Sequence, residues 1–218
     1  MYSYSESWYY YPVLPRNDFR PDSYGNPGSH TMSIHSGCIS KHEDELSKTL
    51  RELWEQHVFW TRLAIVSIVF QLPDVSVTLS RLLRNATDMG NAIRPFYGDE
   101  AAKKFEQLIR DHLVIAADLV KAAVAGNQSQ VNALEKKWYA NADDVTNFLA
   151  SANPYFPKEA FRKMFYHHLA LTKAEAVTMI GKDYAQSIAL FDQIEKEALI
   201  MADMMTKPIV AQFPAHFR

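Results

Sequence analysis

The chain has 218 residues, 48% of them hydrophobic, and its 23 basic and 25 acidic side chains leave a formal charge of −2. That size and apolar content suffice for one large buried core, and the near balance of charge excludes the basic footprint that grips nucleic acid or an anionic membrane. The single cysteine, Cys38, rules out an internal disulfide, so a reducing cytoplasm is the expected setting.

Met1 to Tyr11 has neither a basic start nor an apolar run, so it is not expected to act as a secretory signal. Residues 1–39 hold six of the 11 tyrosines, four of the 10 prolines and three of the 7 glycines, with few aliphatic residues. A segment of this kind buries too little apolar area to offset its own chain entropy. It reads as an arm that needs a surface to lie on, either its own bundle or a neighbouring copy, through Tyr2, Tyr4, Trp8, Tyr9, Tyr10 and Tyr11.

Helices account for the rest. Ser40-Lys41-His42-Glu43 is a capping box that opens a helix running to about Gln71. Its most apolar stretch, Leu63 to Phe70, is far shorter than the roughly 20 residues of a bilayer span, so no membrane span is expected. Pro73 suits the first turn of a second helix reaching about Asn85, with a short helical piece before Pro95. A helix from Gly98-Asp99 to Ala125 follows, then a stop and cap at Gly126-Asn127 and a helix to about Ala152. After the break at Asn153-Pro154-Tyr155-Phe156-Pro157, one helix runs from Lys158 to Ile180. Gly181 and Asp183 repeat the stop and cap, and a last helix ends near Pro208. No segment alternates with period two, so no sheet is expected. The predicted fold is all-α, a bundle of five long helices plus one or two short ones over residues 40–210, with 211–218 as a tail.

Residues 105–154 and 161–208 look like two copies of one helical hairpin, each with His-Leu in the middle of its first helix and a glycine stop. Aligning the histidines pairs His112 with His168, aligning the closing prolines pairs Asn141 with Glu195, and His57 in the first helix offers a third copy. At helical spacing His57, His112, Asn141, His168 and Glu195 each lie on an apolar stripe, with Glu175 at the edge of the stripe around His168. Five helices thus aim a polar residue at one core. Imidazole and carboxylate suit iron, zinc or manganese, and facing helices of a bundle supply such ligands. On that reading His57, His112, His168 and Glu195 are the ligands, supported by Asn141 and Glu175. On the other reading the same residues form a hydrogen-bonded polar layer that specifies packing. The Glu-x-x-His spacing of di-iron carboxylate bundles is absent.

Other signals are weaker. His30, His35, Cys38 and His42 match no zinc spacing. Asn85-Ala86-Thr87 and Asn127-Gln128-Ser129 fit the glycosylation pattern but read as helix ends. Arg62, on an apolar helix, needs a partner, with Asp118 or Asp144 the candidates. Phosphate-binding loops and nucleophile motifs are absent.

The segments Leu53-Trp54-Glu55-Gln56-His57-Val58-Phe59-Trp60-Thr61-Arg62, Arg94-Pro95-Phe96-Tyr97-Gly98, Lys137-Trp138-Tyr139-Ala140-Asn141-Ala142-Asp143 and Met201-Ala202-Asp203-Met204-Met205 resemble an uncharacterised all-helical family of spore-forming Firmicutes, over about residues 45–210. Some of its members carry the label acetylglutamate kinase, which does not suit a chain without a glycine-rich phosphate loop. The His-centred helices are also loosely similar to ferritin-like metal-binding bundles. Two functions follow as expectations: a metal-binding bundle, or a structural protein of a spore layer or filament that forms homo-oligomers through its arm. The second would place it at the spore instead of free in the cytoplasm.

Overall fold

The structure is a computed structural model and describes residues 39–218. The arm, apart from Ile39, lies outside the described residues, as do His30, His35 and Cys38. Among the described residues there are five helical spans and no strand: α1 (Lys41–Val69), α2 (Val75–Val124), α3 (Gln128–Ala152), α4 (Lys158–Ile180) and α5 (Tyr184–Gln212), followed by a 3-10 turn at Pro214–Phe217. The expected all-α bundle is what the chain forms.

The helix starts follow from their caps. Ser40 accepts a hydrogen bond from the Glu43 amide at 3.2 Å, Asn127 from that of Gln130 at 3.1 Å and Asp183 from that of Gln186 at 3.1 Å. Three helix ends share one turn. The amides of Leu72, Asn127 and Asp183 reach back to the carbonyls of Ser67, Ala122 and Thr178, and the residue before each, Gln71, Gly126 or Lys182, has a positive φ of 52°, 70° or 64°. This is the Schellman arrangement that satisfies the last carbonyls of a helix. Glycine was expected at the left-handed position of the third turn, but Gly181 keeps an ordinary φ of −73° and Lys182 takes it.

The second helix departs most from expectation. It does not stop at Asn85 or before Pro95. A first arm, residues 75–97, continues to Gly98, whose backbone (φ 79°, ψ 178°) is not helical, and a second arm follows over 99–124. Proline in the last turn before a break costs little, because the carbonyl it cannot serve is near a helix end. The two arms fold back on each other at Gly98. Thr87 of the first bonds Glu106 of the second at 2.7 Å and accepts from Arg110 at 3.1 Å. Gly90 makes this approach possible: a Cβ there would lie 2.9 Å from the Ala102 carbonyl oxygen and 3.0 Å from the Glu106 Cβ.

The chain is therefore three helical hairpins instead of two: α1 with the first arm of α2, the second arm of α2 with α3, and α4 with α5. What looked in the sequence like a fragment of a third copy is complete. Cross-links on every seam close six helical segments into a ring. Arg81 bonds Gln56 at 3.1 Å, Tyr166 bonds Asp143 at 2.8 Å and Lys173 bonds Glu135 at 2.6 Å. Arg51 bonds Asp203 at 2.8 Å between α1 and α5. The core inside holds Trp54, Met89, Phe105, Ile109, Trp138, Phe161, Phe165 and Met201, all buried.

The end of α5 differs in a similar way. Pro208 does not close it, because Met205 and Ile209 continue the buried stripe to Gln212 and their packing outweighs one lost backbone bond. Residues 211–218 are not a loose tail. Phe217 is buried and stacks on Phe96 at 5.6 Å, and Gln212 bonds the Tyr97 hydroxyl at 3.0 Å and the Ala152 carbonyl at 3.1 Å.

Candidate functional site

His57, His112 and His168 stand on α1, the second arm of α2 and α4, each 14 residues before the left-handed residue of its hairpin turn. Equal spacing brings them to one level. The His57 ring lies 6.3 Å from that of His112 and 6.2 Å from that of His168 between centroids, and all three are buried. Phe165 packs on His112 at 5.0 Å and Trp54 on His57 at 5.4 Å.

Two of the histidines are held by the same device. Asn85 Oδ1 meets His57 Nδ1 at 3.2 Å, while its Nδ2 donates to the Leu53 carbonyl at 2.9 Å. Asn141 Oδ1 meets His112 Nδ1 at 2.9 Å, and its Nδ2 donates to the Leu108 carbonyl at 3.1 Å. In both hairpins an asparagine on the returning helix clasps a ring and the carbonyl four residues before it. Because each amide nitrogen must face a carbonyl, each amide oxygen faces the ring, and Nδ1 carries the proton. Trp138 then donates its indole N–H to His112 Nε2 at 3.1 Å, so both nitrogens of that ring are engaged.

Burial sets the charge of this layer. It pulls His57 down to about 4 against the raising effect of Asn85, and it pulls His112 to about 3 with help from the neighbouring His57. His168 is also held well below its ordinary value by burial and by the other two rings. At neutral pH the three imidazoles are uncharged.

The third hairpin lacks the clasp. Counting from the shared turn, Glu197 occupies the place of Asn141, and its Oε1 bonds His167 Nδ1 on the neighbouring face of α4. His168 Nδ1 and Glu197 Oε2 are both buried without a hydrogen-bond partner among the described residues. Burial raises the Glu197 carboxyl and His167 opposes it.

The predicted carboxylates are elsewhere. Glu175 pairs with Arg62, which also reaches the Ser187 hydroxyl at 3.3 Å and lies over the Phe191 ring at 4.9 Å. Arg62 is thus partnered by Glu175, not by Asp118 or Asp144, and Asp118 bonds Lys121 at 3.1 Å. Burial pushes Glu175 up to about 7 despite Arg62. Glu195 meets the Glu55 carboxyl on the α1–α5 seam, and burial and this neighbour raise Glu55. The buried stripe of α5 runs through Leu190, Ile194, Ala198, Met201 and Met205, while Tyr184 and Ile188 face outward, so Glu195 is turned away from the centre.

Four of the sequence-predicted residues, His57, His112, His168 and Asn141, therefore come together, and Glu195 and Glu175 do not join them. Among the described residues no group of three or more His, Cys, Asp and Glu side chains stands at the spacing of a metal site. Two members of the layer escaped sequence reading. Asn85, taken for a helix end within a glycosylation pattern, is fully buried in mid-helix. Its signal was the spacing, 28 residues beyond His57 against 29 for Asn141 beyond His112. Trp138, three residues before Asn141 on the same helix, carries no sequence signal that sets it apart from other apolar residues of its stripe. Comparison of the chain with protein-family models, with curated proteins and with solved structures gives no match.

Proposed function

We propose that this chain is a structural bundle protein that assembles through its surface, and that its histidine layer sets the register of the hairpins. The supporting observation is the repeated clasp, in which Asn85 and Asn141 consume the Nδ1 protons of His57 and His112 and a backbone carbonyl each. A one-turn slip of either hairpin would leave three buried polar groups unpaired, so the clasps penalise every register but one. Neutral rings, two of them hydrogen-bonded, with no nucleophile against them among the described residues suit packing better than acid–base chemistry. The outer surface offers a contact. Phe59 on α1 and Phe70 at its end share one face, with Tyr184 and Ile188 on the adjoining face of α5, each more than 40% exposed, and the tilted rings of Phe70 and Tyr184 lie 6.1 Å apart. Light scattering on Phe59→Ser/Ile188→Ser and on a chain lacking residues 1–39 tests the reading. A shift to smaller species in either supports assembly through the strip or the arm, and an unchanged size distribution in both overturns it.

A second reading, binding of iron, zinc or manganese, is favoured by one observation: His168 Nδ1 is unpaired and its ring is 6.2 Å from that of His57. Neutral imidazoles are the metal-binding form. Stoichiometric metal in purified protein, lost in both His57→Ala and His168→Ala, would establish it, and metal-free parent protein would end it.

A further inference from the structure

One turn beyond the histidine layer, toward the three Schellman turns, a cavity of about 60 Å³ lies among α1, the second arm of α2 and α4, with Leu82, Val131 and Trp138 completing its wall. Its floor repeats with the hairpins: Thr61, Ala116 and Thr172 each sit four residues after a histidine. The polar atoms of the wall are committed elsewhere. Thr61 donates to the His57 carbonyl at 2.7 Å, Thr172 to that of His168 at 2.9 Å, and the Trp138 indole to His112 at 3.1 Å. With these donors spent, water entering would find only the acceptor lone pairs of the two hydroxyls, fewer partners than a buried water ordinarily keeps, so the cavity favours apolar guests. The mouth opens where Val177 is 55% exposed and Lys173 stands at the rim, its amine bonded to Glu135. Among the described residues Lys173 is the only charged one of the lining.

We infer that this cavity binds the end of an unbranched aliphatic chain whose anionic head pairs with Lys173 at the rim. Protein interiors ordinarily leave few voids larger than a water molecule, yet alanines at positions 64, 116, 117, 123 and 176 hold this one open between bulky neighbours. The volume suits a methyl terminus and a few carbons, not a folded or branched skeleton. The ammonium selects a carboxylate or phosphate over a neutral head, and it releases Glu135 to solvent when the head arrives.

Titration of the full chain with octanoate and with 1-octanol, followed by calorimetry and by tryptophan fluorescence, tests this. Octanoate is expected to bind saturably at one site and raise the thermal midpoint. Ala116→Leu, which fills the floor, is expected to weaken octanoate at least tenfold, and Ala123→Ile, two turns further along the same wall, does the same should the first variant fold poorly. Lys173→Gln is expected to weaken octanoate about fivefold and leave 1-octanol unchanged. Absence of saturable octanoate binding to the parent chain, or binding indifferent to both filling variants, would overturn the inference. Equal loss of octanoate and octanol in Lys173→Gln would overturn the role of the head group.

Discussion

The first two hairpins and the third are built alike and finished differently. His57 and His112 are clasped by Asn85 and Asn141, whereas His168 faces a returning helix that carries Glu197 at that place and spends it on His167. The difference shows what the clasp does. Where it is present, the ring, the asparagine and the carbonyl form a closed set. Where it is absent, one nitrogen and one carboxylate oxygen are buried unpaired. Each such group lowers stability. The third hairpin is thus the copy whose histidine has no such lock, held in register by the shared turn and its apolar stripe.

The largest test of the comparison is acidification, which strains all three copies. In the unfolded chain each imidazole titrates near 6.5, while folding holds His57 to about 4 and His112 to about 3. Below 6.5 the unfolded state binds more protons, so stability that is intact above that pH is lost as pH falls toward 4, on the order of 1.4 kcal/mol per pH unit for each histidine. Glu175, raised to about 7, has the opposite sign, because the folded state takes up its proton more readily between 4.5 and 7. Burial raises Glu197 and Glu55 in the same sense, so three carboxyls partly offset the three imidazoles. The urea midpoint should be lower near pH 5 than at neutral pH, and the fall should shrink in His57→Phe; no change in the pH profile of that variant would show that the buried ring does not carry it.

Breaking a clasp comes next. Asn141→Leu leaves the buried His112 Nδ1–H without a partner, the Leu108 carbonyl keeping only its helical bond, and Asn85→Leu does the same for His57 and Leu53; each should cost about 1–3 kcal/mol in equilibrium unfolding. A loss below about 0.5 kcal/mol in both would mean that the clasps carry little. Gly90→Ala probes the corner that brings the first hairpin against the second, and crowding of its Cβ against the Ala102 carbonyl should cost about 1–3 kcal/mol. The smallest effect has the opposite direction. Glu197→Asn supplies the missing clasp to His168 and should raise stability by about 1 kcal/mol, read as a higher urea midpoint at unchanged slope. No gain would show that the third hairpin is not a true copy of the other two.

Local signals in the sequence marked the helix starts well. Ser40, Asn127 and Asp183 cap where their chemistry places them, and the three histidines share a level because each is the same distance from its turn. Register between copies was harder to read. Pairing Asn141 with Glu195 followed the prolines, but Pro208 lies inside α5, and the histidine spacing of 56 residues selects Glu197. Asn85 was hidden because the first hairpin returns one residue sooner than the second. The partner of Arg62 was illegible for another reason: Glu175 lies 113 residues away, and nothing local says which helices become neighbours when a ring closes.

That ring closes at one place. Every other seam joins segments adjacent in the chain, but α1 meets α5 across a separation of 152 residues at Arg51 and Asp203. Loop closure over that length is the costliest contact to form, and local hairpins need not wait for it. The three hairpins can therefore collapse early and the α1–α5 seam last, which makes the same seam the first to part when the bundle breathes. Hydrogen exchange should find the amides of the second arm of α2, away from that seam along the ring, slowest, and those facing the seam on α1 and α5 faster than burial alone would set.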